Sequence, residues 1–144
     1  MAMNKSVGNM HKFCDYTFNI LKGWPCSHEC SYCYVGDMRK RFNQKNTPIY
    51  LDNNELKTNL GSGKTIFVGS STDMFADNIP GILIEQALSH CRKYDMNTYL
   101  FQTKNPVRFN DFLKFFPKKT ILGVTLESNR DHGLSKAPSP EERY

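Results

Sequence analysis

Three cysteines stand close together in Cys26-Ser-His-Glu-Cys30-Ser-Tyr-Cys33, with the spacing Cys-x3-Cys-x2-Cys. Thiolates this near in sequence can grip one metal-rich object, and iron–sulfur clusters are held by cysteines at short local spacings. Three protein ligands on a four-iron cluster leave one iron open, and an open coordination position is where chemistry happens. The competing chemistry is a closed zinc shell in which Cys14 or His28 joins the three. Zinc ribbons and knuckles usually divide their thiols between two separated pairs, and this chain has no second pair. Cys91 stands alone at an apolar helical position and reads as a small buried hydrophobe.

A loop of thiols needs a scaffold, and the chain has the material for one. Its 144 residues are 39% hydrophobic, and ten Phe, seven Tyr and one Trp supply the bulky surface that drives collapse. No apolar run approaches the ~18 residues of a membrane-spanning helix. Met1 to Lys12 lacks the apolar core of a secretory signal, so a cytoplasmic location is expected. An odd cysteine count in that reducing compartment argues for metal, cluster or redox chemistry rather than a disulfide framework. The net charge of +5 is weak support for a nucleic-acid partner.

The elements follow from pattern. Tyr16 to Leu21 reads as a first strand, closed by the turn signal Gly23-Trp24-Pro25. Val35 to Phe42 reads as a helix with Arg39, Lys40 and Arg41 on a solvated face, although these cations could steer a phosphate-bearing substrate. Asn43 to Gly63 is polar and turn-rich, with a short helix expected around Asn53 to Leu60. Thr65-Ile-Phe-Val68, between Gly63 and Gly69, suits a second strand covered on both faces. Ile82, Leu83, Ala87, Leu88 and Cys91 recur at helical spacing from Pro80 to Tyr94. Thr98 to Gln102 is a third strand, Val107 to Phe116 a helix, and Thr120 to Thr125 a fourth strand. This alternation implies right-handed βαβ units and a parallel sheet or barrel.

Two further short motifs stand in the chain. Gly61-Ser-Gly-Lys-Thr65 looks like the end of a phosphate-binding loop, but Thr58 stands where the pattern needs glycine and the segment precedes a strand. Ser139-Pro140-Glu141-Glu142 is a capping box with proline at the first helical position. A start of that quality normally introduces several turns, so the chain is expected to be a truncated or split protein.

The cysteine spacing, with Tyr32 just before the last thiol, resembles the radical S-adenosylmethionine superfamily. The order of later landmarks is similar to its spore photoproduct lyase-like branch and to phage-type relatives: Tyr32-Cys33-Tyr34, Thr72-Asp73, Thr103-Lys104, then Ser139-Pro140 before Arg143. The resemblance implies an α/β fold, the amino-terminal four-strand part of a partial (β/α)6 barrel. Residues 1–144 would form a single domain with its last two strands missing. It implies a [4Fe-4S] cluster on Cys26, Cys30 and Cys33 and S-adenosylmethionine as cofactor, cleaved reductively to give a 5′-deoxyadenosyl radical that takes hydrogen from a substrate. No catalytic residue beyond the cluster ligands is implied.

The same resemblance distributes cofactor contacts. Tyr32 would lie against the adenine, Ser71 and Asp73 would accept from the methionine amino group, and Lys104 would face the methionine carboxylate. Thr125, Glu127 and Ser128 would meet the ribose hydroxyls. Gly69-Ser-Ser-Thr-Asp73 departs from the Gly-Gly-Glu signature common in the superfamily, and Thr72-Asp73 has an equal reading as a helix or turn cap. An electron donor such as flavodoxin or ferredoxin, a nucleic-acid substrate and a second chain completing the barrel are the implied partners. The alternative is a non-enzymatic zinc-binding module that meets nucleic acid through its basic surface.

Overall fold

Residues 3–6, 12–24, 34–43, 47–70, 72–126 and 136–143 are described in the computed structural model of the chain. Short β-branched and aromatic segments make the strands β1 (Asn4–Lys5), β2 (Tyr16–Phe18), β3 (Leu21–Trp24), β4 (Thr47–Leu51), β5 (Thr65–Val68), β6 (Thr98–Thr103) and β7 (Thr120–Val124). The helices are α1 (Tyr34–Arg41), α2 (Gly81–Arg92) and α3 (Pro140–Arg143). Glu55–Lys57 forms one 3-10 turn and Pro106–Phe115 a longer 3-10 helix. The main sheet has the order β1-β2-β5-β6-β7; β2, β5, β6 and β7 run parallel, and β1 is antiparallel to β2. β3 and β4 form a separate antiparallel pair.

One face of the main sheet carries the core. Phe18, Ile66, Val68, Tyr99 and Phe101 are buried there against Ile84, Ala87, Leu88 and Cys91 of α2 and Phe109 and Phe112 of the 3-10 helix. Strand alternation sends the intervening side chains to the opposite face. Register aligns them in one row: Thr17 beside Phe67, Phe67 beside Leu100, and Leu100 beside Ile121. The first three are half-buried and Ile121 is 51% exposed.

The amino edge of the parallel strands is pinned by a buried amide. Asn97 is 0% exposed. It accepts from the Lys64 N–H at 3.1 Å, and its Nδ2 faces the carbonyls of Leu60 at 3.3 Å and Gly61 at 3.1 Å. The Tyr99 hydroxyl donates to the Tyr94 carbonyl at 2.7 Å, and burial pushes this phenol up from its ordinary value. Asp15 links the starts of β2 and β5 through its own N–H to Thr65 O and the Thr65 N–H to its Oδ2.

Several expectations need correction. The partial (β/α)6 barrel is not the architecture: a barrel is built from one continuous ring of staves, whereas here the outer edge of β2 is taken by antiparallel β1 and the sheet is mixed. The expected first strand, Tyr16 to Leu21, breaks after Phe18, and the chain leaves the main sheet to pair β3 with β4. Gly23 makes that pairing possible: its φ is +114°, and a Cβ there would run into the Pro48 carbonyl. The polar stretch Asn43 to Gly63 contains β4 before its 3-10 turn, and Val107 to Phe116 is 3-10 rather than α-helical over almost its whole length. The strands at Thr65, Thr98 and Thr120 and the α2 helix fall where pattern puts them.

Candidate functional site

Four parallel strands end on one edge, and polar residues follow each end: Asn19 after β2, Ser70 after β5, Lys104 after β6 and Thr125 after β7. Crevices at the carboxyl ends of parallel strands are where α/β sheets place ligands, because loops converge there. Gly69 turns the chain over this edge at φ +80°, with Met74 Cγ 2.8 Å and Thr72 O 3.0 Å from where a Cβ would sit. Beside it, Asn19 Nδ2 donates to Ser70 Oγ at 3.0 Å and Ser70 Oγ donates to Asn19 Oδ1 at 3.2 Å. These reciprocal bonds join the ends of β2 and β5.

Asp73 organises the middle of the edge. Its Oδ1 accepts from the Phe75 N–H at 3.0 Å, the Thr103 hydroxyl lies 2.8 and 3.0 Å from its two oxygens, and its Oδ2 accepts from the Lys104 N–H at 3.0 Å. Capping is therefore what this carboxylate does within the chain: it caps its own turn and fixes the backbone of Lys104. Asn105 continues the brace, donating from Nδ2 to Phe75 O and to Asp77 Oδ1, both at 3.0 Å, and Arg108 donates to the carbonyls of Ala76 and Ile79. Phe75 anchors the loop from below, with ring centroids 4.7 Å from Phe109 and 6.2 Å from Phe101. The two loops after β5 and β6 thus form one braced unit on the aromatic core.

At the β7 end, Gln102 Nε2 donates to Thr125 Oγ1 at 2.8 Å and the Thr125 N–H donates to Thr103 O at 3.0 Å. Arg143 is buried and donates to Thr125 O at 2.6 Å, so the carboxyl-terminal turn is tied to this edge. The expected capping box starts that turn: Ser139 N–H donates to Glu142 Oε2 at 2.7 Å and Glu142 N–H to Ser139 Oγ at 3.3 Å.

The strand leading to the thiol segment is fixed separately. Lys22 on β3 pairs with Asp52 at 3.2 Å and with buried Glu55 at 3.3 Å. Desolvation opposes the Lys22 charge, yet the two carboxylates outweigh it and raise its pKa. The Asn54 N–H, followed by Lys22, holds Asp52 below the usual carboxylate range.

Of the sequence-predicted residues, Asp73, Lys104 and Thr125 lie on the carboxyl edge, with Asp73 joined directly to the Lys104 backbone. Cys26, Cys30, Cys33, Tyr32, Ser71, Glu127 and Ser128 fall outside the described residues, as does His28. Cys14 and Cys91 are both buried; Cys14 Sγ sits 3.1 Å from Ser6 Oγ before β2, and enclosure pushes the Cys91 thiol up. Among the described residues, no group of three or more His, Cys, Asp or Glu side chains could hold a metal ion. Sequence reasoning missed Asn19, Gln102 and Asn105, and gave Thr103 only as a landmark beside Lys104. The available signal was a run of polar residues at each strand exit.

These features define a mixed α/β protein with a polar, braced carboxyl edge. Residues 9–139 match the model of the family described as "Protein of unknown function (DUF5131)", and the chain belongs to that family. No curated protein and no solved structure matches it. No helix among the described residues is long and apolar enough to cross a membrane.

Proposed function

We propose that the chain is a radical S-adenosylmethionine protein whose cluster ligands are Cys26, Cys30 and Cys33 and whose cofactor lies over the carboxyl edge of β2, β5, β6 and β7. The observation that carries this reading is the Cys-x3-Cys-x2-Cys spacing directly after β3. The donor set suits the group: three clustered thiols match cluster ligation, while Cys14 and Cys91 are enclosed elsewhere. When bound, cluster and S-adenosylmethionine supply a 5′-deoxyadenosyl radical by one-electron cleavage of the sulfonium.

The chain's own residues bind and orient. Lys104, its backbone held by Asp73, offers its ammonium to the methionine carboxylate. Asp73 supports the amino-group site by bracing the loop that contains Ser71, which accepts from the ammonium. Thr125 and Glu127 take the ribose hydroxyls and Tyr32 covers the adenine. A reducing cytoplasm suits three clustered cysteines, and flavodoxin or ferredoxin fits as electron donor.

Anaerobic reconstitution with iron and sulfide tests the reading. Brown charge-transfer absorption is expected, with release of 5′-deoxyadenosine from S-adenosylmethionine under reductant. Cys30→Ala should abolish both. Stoichiometric zinc with no nucleoside product overturns the proposal in favour of a zinc module, and a full cluster in Cys30→Ala overturns the ligand assignment.

A further inference from the structure

The geometry points to Gln102 as the residue that reads the base edge of a bound adenine nucleoside, an inference that rests on the cofactor reading above. Gln102 ends the exposed side of β6, one residue before Thr103 turns inward to Asp73. Its carboxamide is oriented rather than free to swing, because Nε2 donates to Thr125 Oγ1 at 2.8 Å. Among the described residues this is its only hydrogen bond. The second Nε2 hydrogen and the Oε1 lone pairs remain for a ligand.

The surroundings favour a planar partner. Across the register Gln102 faces Gly123, where an added Cβ would touch Gln102 Cγ at 3.6 Å, so no side chain of the neighbouring strand covers the amide at this position. The sheet face leading up to it presents Phe67, Leu100 and Ile121, an apolar row suited to a ring system. Lys104 follows two residues on, supplying a cation for an acidic group of the same ligand. One acceptor beside one donor on a carboxamide matches the 6-amino group and an adjacent ring nitrogen of adenine, the pairing by which Gln and Asn read that base elsewhere. Gln102 is thus a specificity residue.

Isothermal titration of the reconstituted protein with 5′-deoxyadenosine, and with the analogue lacking the 6-amino group, tests the assignment. The wild-type chain should bind 5′-deoxyadenosine about tenfold more tightly than the analogue, the scale of one base-edge contact. Gln102→Leu should bind both alike, with unchanged iron content and unfolding midpoint; Gln102→Glu, which keeps the acceptor alone, should retain part of the preference. Equal wild-type affinity for the two nucleosides, or a preference that survives in Gln102→Leu, overturns the role of Gln102 while leaving the cofactor reading intact. Failure of the wild-type chain to bind either nucleoside or S-adenosylmethionine overturns both.

Discussion

The two edges of the parallel sheet use their polar groups in opposite ways. At the amino edge, Asn97 and Tyr99 are completely enclosed and spend their hydrogen bonds on each other and on the backbone of neighbouring turns. At the carboxyl edge, Asp73 and Asn105 brace two loops from within, while Gln102 stays exposed and Lys104 half-exposed beyond them. Polar groups saturated by backbone contribute stability, whereas groups held in place but facing outward are available to a ligand. The difference gives folding to one edge and, on the proposed function, leaves recognition to the other.

The strongest way to break this division is to remove the buried amide. Asn97→Ala leaves the Lys64 N–H without its acceptor and strips donors from the Leu60 and Gly61 carbonyls, and should cost about 3 kcal/mol. Urea unfolding measures the loss; nucleoside affinity of the folded fraction should not change. Asp73→Ala should cost less, about 2 kcal/mol, because Asp73 is half-buried whereas Asn97 is fully enclosed. It should also weaken binding of S-adenosylmethionine, since the backbone of Lys104, the proposed partner of the methionine carboxylate, loses its tether. An Asp73→Ala chain with full affinity would show that the brace does not shape the edge.

Much of this arrangement was legible in the residues, and the limits have physical causes. Thr65–Val68 and α2 declare themselves because burial of one face imposes a period on the sequence. β4 was hidden because Thr47-Pro-Ile-Tyr-Leu51 is short and contains proline, a mark against a strand that is tolerated only at an edge. The break after Phe18 was invisible because Asn19 and Ile20 continue an extended pattern; only the long-range partner of Leu21, Leu51, decides that the chain changes sheets. The brace partners of Asp73 were equally out of reach, because Thr103 is thirty residues away in sequence. The barrel expectation failed at the same point, since local βαβ periodicity says nothing about what covers the outer edge of β2.

A smaller effect separates the core from both edges. His90 on α2 is buried between the Phe18 and Tyr94 rings, with Nε2 3.0 Å from Thr58 O and, among the described residues, no partner for Nδ1. Burial, and then Lys93, lower its pKa against the raising influence of Thr58. The unfolded chain takes up this proton near the ordinary value of 6.5, before the folded chain does. Stability is therefore fully present above that value and falls as pH drops through it toward the lowered folded pKa. The urea midpoint should be lower at about pH 5.5 than at about pH 7.5, and His90→Phe should flatten that part of the slope. Asp52 contributes in a separate window, losing its stabilisation only below its ordinary 3.8.

The smallest expected effect tests whether charge or enclosure secures the amino edge. Lys118, just before β7, reaches Asp95, just before β6, at 3.9 Å, but their side chains are 85% and 45% exposed. Water screens such a pair, and holding two long side chains together offsets most of the attraction, so Lys118→Ala should change stability by less than about 0.5 kcal/mol. The pair spans the gap between the starts of β6 and β7, next to the gap between β5 and β6 that Asn97 secures. If enclosure is the cause, the urea midpoint of Lys118→Ala will match that of the parent at low and high salt alike. A salt-dependent loss comparable to that of Asn97→Ala would instead make surface charge the agent that aligns the strands.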